Sequence, residues 1–140
     1  MTATPVDPKA DYPLAEHRPD LIKTPTGKRL DEISMEAVLA GDVAAEDLRI
    51  APETLRLQAE VAEAVGNTQV GQNFRRAAEM TALPDKKVLE IYNALRPNAS
   101  TKQELLDIAE ELERDFAATL CGQLTREAAD VYERRGVLAN

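Results

Sequence analysis

Prolines at the start of the chain are the feature that most limits its fold. Five of the eight prolines lie within the first 25 residues, at Pro5, Pro8, Pro13, Pro19 and Pro25. Each proline fixes its own φ and disfavours a helical conformation in the residue before it. Residues 1–30 are therefore predicted to form an extended N-terminal arm.

Apolar side chains distinguish this arm from a plain linker. Tyr12, Leu14, Leu21 and Ile22 are spaced along it. An extended segment cannot cover such side chains by itself, so they need another surface, either the helices of this chain or a partner protein. The segment 24–28, Thr-Pro-Thr-Gly-Lys, is typical of a turn.

Residues 31–140 are predicted to form a small all-α domain, because apolar residues recur there at three- and four-residue steps. Ser34 and Gly41 bound the first helix, and Thr101 opens the last helical region as part of a capping box with Glu104. The other predicted helices cover 52–65, 68–82 and 84–97, with a short helical turn at 45–48. No strand pattern and no internal repeat is evident on this reading.

The last helical region is too long for a small domain. A helix unbroken from 101 to 135 would extend roughly 50 Å at about 1.5 Å per residue, whereas a compact domain of this size has a radius of gyration of only about 14 Å. We therefore expect this helix to break near Gly122 or to overhang the domain.

Charge and composition exclude several classes of protein. A net charge of −8 argues against binding to nucleic acid or to an anionic membrane surface. No apolar run approaches the length of about 20 residues that crosses a bilayer, and the first residues do not form a signal peptide. The single Cys121 excludes an intrachain disulfide and fits a reducing cytosol, so we expect a cytoplasmic protein.

Catalytic and metal-binding patterns are absent from the sequence. The single His17 lies in the arm, and one histidine with one cysteine cannot form a closed zinc site. The carboxylates Glu110, Glu111, Glu113 and Asp115 are more typical of a solvated helix face than of an acid/base pair. We therefore predict no catalytic, cofactor-binding or metal-binding residue. A stand-alone enzyme that uses these helix carboxylates remains one alternative, beside the two given below.

Two segments, 73–79 and 91–97, concentrate aromatic residues and arginines. Phe74 and Tyr92 are predicted to anchor two neighbouring helices, and Phe116 and Tyr132 are also predicted to lie in the core. Arg75 and Arg76 precede Glu79 by one helical turn and could pair with it on the exposed side. Arginine and tyrosine are also enriched at protein interfaces. The candidate partner-binding residues are Tyr12, Leu14, Arg75, Arg76, Tyr92 and Arg96.

Several segments, taken in order, resemble one known family. They are 11–15 (Asp-Tyr-Pro-Leu-Ala), 24–28, 47–50 (Asp-Leu-Arg-Ile), 53–59, the segments 73–79 and 91–97, 104–109 and 111–113. In their order and spacing they are similar to the small (gamma) subunit of adenosylcobalamin-dependent diol and glycerol dehydratases. The likeness extends from Asp11 to about Tyr132.

The resemblance implies a role inside a larger enzyme. Such enzymes contain two large, two medium and two small subunits, and convert propane-1,2-diol or glycerol to an aldehyde and water. The large subunit holds the substrate and cations, adenosylcobalamin lies between the large and medium subunits, and the small subunit packs on the large one without supplying a catalytic residue. Only about ten residues precede Asp11 here, so any signal for enclosure in a bacterial microcompartment is expected on a partner subunit. The alternative is a free-standing helical adaptor or regulatory module that binds another protein.

Overall fold

Within residues 6–139, which the computed structural model describes, the fold is all-α, as predicted. Pro5 lies outside the described residues. The helices are α1 (Leu14–His17), α2 (Met35–Ala40), α3 (Pro52–Ala64), α4 (Thr68–Met80), α5 (Asp85–Ala94), α6 (Lys102–Phe116) and α7 (Thr119–Arg135). Single turns of 3₁₀ helix cover Pro19–Leu21, Leu30–Glu32 and Ala45–Leu48.

The described part of the arm is less extended than the prolines predicted. Pro13 precedes α1 as its N-cap residue, and Pro19 is the first residue of a 3₁₀ turn. A proline φ suits the first turn of a helix, so these prolines begin short helices as well as interrupting longer ones. Leu14 is only 2% exposed, so this chain itself covers the side chain.

The predicted turn at 24–28 forms and is fixed to a second loop. The Gly27 N–H donates to the Thr24 carbonyl at 2.9 Å, and Lys23 and Arg29 form an isolated antiparallel bridge beside it. Lys28 Nζ lies 2.7 Å from a carboxylate oxygen of Asp47, and Thr26 Oγ1 also donates to that carboxylate. Asp47, in the Ala45–Leu48 turn, therefore anchors the end of the arm.

Most helix boundaries agree with the sequence signals. Ser34 Oγ accepts the Ala37 N–H at 3.2 Å, and Gly41 ends α2 in the left-handed region with a φ of 81°. Thr101 and Glu104 form the predicted capping box at the start of α6. Pro84 is the N-cap residue of α5, although this helix ends at Ala94, three residues before Pro97.

The long helical region breaks at Ala117 and Ala118, before Gly122. Ala117 has a φ of 52°, which closes α6, and the Ala118 N–H donates to the Leu112 carbonyl at 2.9 Å. Gly122 is buried inside α7, where an added Cβ would lie 3.0 Å from the Ala109 carbonyl oxygen. This glycine permits close packing of α7 on α6, which the sequence pattern could not distinguish from a helix break.

The described residues form two compact units that divide between Ala78 and Glu79. In the second unit, Leu83, Leu112 and Ala118 form a buried cluster, against which partly buried side chains pack: Val88, Ile91, Ile108, Phe116 and Cys121. Phe116 therefore lies at the core as predicted, and the half-buried Tyr132 donates its hydroxyl to the Leu95 carbonyl at 2.6 Å. The division into an arm over 1–30 and a helical domain over 31–140 stays a prediction.

Candidate partner-binding surface

Reactive groups do not gather into a site in the described part of the chain. No group of three or more His, Cys, Asp or Glu side chains is placed to hold a metal ion within residues 6–139. His17 is exposed at the end of α1, and Cys121 is half-buried in the first turn of α7. No helix among these residues combines the length and apolar character that crossing a membrane requires.

Three of the four carboxylates between positions 110 and 115 of α6 form ion pairs, whereas the exposed Glu110 forms none within the described residues. Glu111 accepts from Lys87, Glu113 from Arg126 and Asp115 from Arg114. The guanidinium groups of Arg126 and Arg114 lower the pKa of Glu113 and of Asp115 respectively. These two carboxylates are held in the charged form, which suits ion pairing better than proton transfer at neutral pH.

Asp47 has a strongly lowered pKa. Hydrogen bonds from the Lys28 ammonium group, then from the Thr26 hydroxyl and the Ala44 N–H, lower its pKa from 3.8 to about 2. All these partners belong to the loops that Asp47 joins, and its side chain is buried. The lowered pKa therefore reflects a structural ion pair rather than a reaction centre.

Arg75 does not pair with Glu79 as predicted. Its Nε and Nη2 donate to Glu63 Oε1 and Oε2 at 2.8 and 2.7 Å, and the Arg75 guanidinium lowers the pKa of Glu63. The Glu79 carboxylate instead accepts the N–H groups of Leu120 and Cys121 at 3.0 and 2.8 Å. Glu79 thus caps the start of α7, where free N–H groups attract negative charge.

The six candidate partner-binding residues differ in how accessible they are. Leu14 is buried, Arg75 is bound to Glu63, and Arg76 is half-buried and donates to the Asn73 side chain. Three others are exposed: Tyr12 at 56%, Tyr92 at 67%, and Arg96. Among the described residues, no hydrogen bond or ion pair of the Arg96 side chain is formed.

Tyr92 is not the core residue that its helical position predicted. Val88, Ile91 and Leu95 lie on the inward side of α5 and are partly buried, while Tyr92 lies at the edge of this stripe. Neighbouring positions on one helix can differ in burial because packing covers only part of its circumference. Phe74 is half-buried, so its predicted anchoring role is only partly met.

An apolar groove lies beside Tyr92 in the second unit. It has a volume of about 220 Å³ and is lined by Met80, Leu83, Val88, Ile91, Tyr92, Leu95, Leu112, Cys121, Leu124 and Thr125. Tyr92, Met80 and Leu124 are exposed, whereas Leu83, Leu112 and Thr125 are buried. In the sequence, Leu124 continues the apolar stripe of the last helical region with Leu112, Phe116 and Leu120, and no local signal marks it as exposed.

Comparison with known proteins relates the whole described fold to one family. Residues 8–139 match the family described as Dehydratase small subunit. The propanediol dehydratase small subunit of Salmonella typhimurium (strain LT2) is 53% identical over 126 residues, which cover 90% of this chain and 73% of that protein. The propanediol dehydratase small subunit of Citrobacter freundii is 54% identical over 125 residues, or 89% of this chain and 73% of that protein.

Proposed function

Since the chain belongs to the family of dehydratase small subunits, we propose that it is the small subunit of a propanediol dehydratase. The observation that carries this assignment is the identity of 53–54% to two propanediol dehydratase small subunits over about nine-tenths of the chain. An enzyme of this class removes water from propane-1,2-diol to give an aldehyde, and glycerol is the second candidate substrate.

Within that enzyme, the role of this chain is assembly. The carboxylates most suited to acid/base work are paired with Lys87, Arg126 and Arg114. Substrate and adenosylcobalamin are held by the large and medium subunits, and this chain stabilises the complex by packing on the large one. The complex contains two copies of each of three chains in the cytoplasm.

Co-expression with the large and medium subunits of a propanediol dehydratase tests the assignment. Size-exclusion chromatography is expected to show all three chains in one complex, with adenosylcobalamin-dependent aldehyde formation from propane-1,2-diol. Glycerol in a parallel assay measures the preference. The small chain eluting alone, or full and equally stable activity without it, would contradict the assignment.

A free-standing helical adaptor is the second candidate, and the burial of Leu14 favours it. Because Leu14 is covered within the chain, the arm does not need a partner to hide this side chain. An adaptor would remain separate from both dehydratase subunits in the co-expression experiment. It would also leave dehydratase activity unchanged when its gene is deleted.

A further inference from the structure

Two hairpins of the chain, α3–α4 and α6–α7, carry the same residues at corresponding places. Ala59, Glu60 and Glu63 of α3 recur 50 positions later as Ala109, Glu110 and Glu113 of α6. Six residues of α4 recur 51 positions later in α7: Thr68, Gly71, Gln72, Arg75, Ala77 and Ala78 correspond to Thr119, Gly122, Gln123, Arg126, Ala128 and Ala129. One additional residue in the connection between α6 and α7 accounts for the change in spacing from 50 to 51 positions.

The correspondence includes the short helix before each hairpin. Val38 and Leu39 of α2 correspond to Val88 and Leu89 of α5, again 50 positions later. Residues 33–80 and 83–131 are thus two copies of a three-helix unit. The expectation that the chain contains no internal repeat is therefore wrong, because the identical residues are too scattered to stand out as a motif.

The backbone of the two connections agrees in detail. Gly66 and Ala117 occupy the same place and both have a left-handed φ, of 87° and 52°. The following residue donates back into the first helix in both copies, from Asn67 N to the Ala62 carbonyl and from Ala118 N to the Leu112 carbonyl, each at 2.9 Å. Ala62 and Leu112 are themselves 50 positions apart.

A side-chain clamp repeats as well. In the first copy the stem of Glu63 lies over Gly71, where an added Cβ would be 2.5 Å from Glu63 Cγ, and both carboxylate oxygens bind Arg75. In the second copy Glu113 lies over Gly122, where an added Cβ would be 2.7 Å from Glu113 Cγ, and the Glu113 carboxylate accepts two hydrogen bonds from Arg126 at 3.2 and 2.8 Å. The residues common to both copies include those that hold each hairpin together.

Most residues that line the groove stand at positions where the two copies differ, although Val88 matches Val38 and Met80 is the last residue of the first copy. Helix α2 ends at Gly41, whereas α5 continues through the corresponding Ile91 and on to Tyr92. Leu124 of the second copy corresponds to Asn73 of the first. The larger apolar side chains of the groove are therefore mostly specific to the second copy.

We propose that the chain is a tandem duplication of one three-helix unit, and that the groove of the second copy seats an apolar segment of the large dehydratase subunit whose carboxylate pairs with Arg96. The location of the contact deepens the proposed function and rests on it. A protein segment is the fitting occupant because about 220 Å³ is smaller than the usual 300–1,000 Å³ of small-molecule pockets. Exposed Tyr92 and Leu124 supply the apolar contact area of an interface core.

Arg96 is the reason to expect a negative charge on the partner segment. It directly follows Leu95, which lines the groove, and its side chain is exposed and makes no bond to the described residues. Arg114 and Arg126 of the second unit bind Asp115 and Glu113. The exposed Arg134 and Arg135 at the end of α7 make no side-chain bond to the described residues, but they do not line the groove. An arginine beside an apolar groove favours a carboxylate on the partner, since the two form charge-assisted hydrogen bonds.

The test measures the affinity of the full chain for the assembled large and medium subunits. Leu124→Asp is expected to weaken binding at least about tenfold at any salt concentration, because it places a charge in an apolar contact. Arg96→Ala is expected to weaken binding about tenfold in dilute buffer and much less at about 1 M salt, where charges are screened within about 3 Å.

Matched controls come from the first copy. Asn73→Asp adds the same charge at the position corresponding to Leu124 and keeps the acceptor that Arg76 uses. Arg49→Ala removes an exposed arginine of the first copy whose side chain makes no bond within the described residues. Both control variants are expected to bind like the wild type.

The outcomes separate the site from the function. If wild-type chain binds the dehydratase subunits and Leu124→Asp binds equally well, the groove proposal fails and the proposed function stands. If the wild type does not bind them, both fail.

Self-association of the wild type that Leu124→Asp abolishes would make the groove a contact between two copies of this chain and overturn the proposal. If Leu124→Asp proves unfolded by circular dichroism, Tyr92→Ser decides instead, because Tyr92 is 67% exposed.

Discussion

Asp47 shows how a single carboxylate can hold two loops in place. It accepts from Lys28 Nζ at 2.7 Å and from the Ala44 N–H at 2.8 Å, and it also accepts from Thr26. Its motif, 47–50, and the turn at 24–28 are both segments of the family resemblance. The structure explains why they occur together, since one supplies the anchor for the other.

Replacing Asp47 by asparagine is expected to lower stability at neutral pH. The folded pKa of about 2 lies below the value of 3.8 for an unperturbed group, so the stabilisation is present above about pH 4. It is lost as the pH falls through about 2. Urea denaturation at pH 7, 4 and 2 should therefore show a difference between wild type and Asp47→Asn that is nearly complete at pH 4 and mostly lost at pH 2.

The control for this experiment is Asp31→Asn, since Asp31 pairs with Arg29 at an exposed position. Exposed ion pairs contribute about 0–1 kcal/mol, so this variant should differ little from the wild type at any pH. An Asp47→Asn difference that persists at pH 2 would show that the charge of Asp47 is not what holds the loops.

Ala117 carries backbone strain that glycine would remove. Its φ of 52° is unfavourable for a residue with a Cβ, and the corresponding residue of the first copy is Gly66. Ala117→Gly is expected to stabilise the chain by up to about 1 kcal/mol in thermal denaturation. Ala128→Gly, within α7, should destabilise it by a similar amount. A loss of stability in Ala117→Gly would mean that contacts of the Ala117 methyl group stabilise the chain by more than the backbone strain destabilises it.

Close packing of α4 on α3 and of α7 on α6 depends on the absence of a side chain at Gly71 and at Gly122. An added Cβ at Gly71 would meet only the flexible side chain of Glu63, whereas one at Gly122 would also lie 3.0 Å from the Ala109 carbonyl oxygen. Gly122→Ala is therefore expected to destabilise by about 1–3 kcal/mol, the usual cost of overpacking. Gly71→Ala should cost less, because the gain in helix propensity offsets part of the displacement of Glu63. The reverse order in denaturant midpoints would contradict this account of the α6–α7 contact.

The two Glu–Arg clamps predict equivalent behaviour of the two hairpins. Glu63→Gln and Glu113→Gln should each lower the denaturation midpoint at pH 7, because each leaves an arginine without its charged partner. Both carboxylates have a lowered pKa, so their contribution is present above the unfolded pKa of about 4.3 and lost as the pH falls through the folded values.

Matched controls for the clamps are Glu60→Gln and Glu110→Gln. These glutamates also correspond between the copies, and both are exposed on the first helix of their hairpin. We expect little change in the denaturation midpoint for either. If only one clamp variant is destabilised relative to its control, the two hairpins are not held together in the same way.

At the scale of the whole molecule, the N-terminal arm packs on the rest of the chain through the buried side chain of Leu14. Trypsin should therefore cleave after Lys9 only slowly in the isolated wild type, since Leu14 is buried and Arg18 pairs with Asp11 and Asp20. Leu14→Ser is expected to make this bond readily cleaved, as followed by mass spectrometry, whereas Ala15→Ser, at an exposed position, should behave like the wild type. Equal rates for wild type and Leu14→Ser would show that burial of Leu14 does not hold the arm.

The sequence alone determined the all-α class and most of the helix boundaries. Ser34, Pro52 and the Thr101–Glu104 capping box act within one helical turn, so their effect can be predicted without knowledge of distant residues. The resemblance likewise identified the family, because order and spacing along the chain are properties of the sequence. Tertiary packing was not needed for either conclusion.

Only the tertiary structure decided which residues meet. Arg75 binds Glu63, twelve positions away, rather than Glu79, and Glu79 caps a helix that begins some forty positions later. Gly122 lies inside α7, where its missing Cβ leaves room for the carbonyl of Ala109. The helix breaks at Ala117 instead, because the turn between α6 and α7 requires a left-handed φ there. Tyr92 is exposed because packing covers only one side of α5. Each of these outcomes depends on side chains that are distant in sequence, so no local pattern could have predicted it.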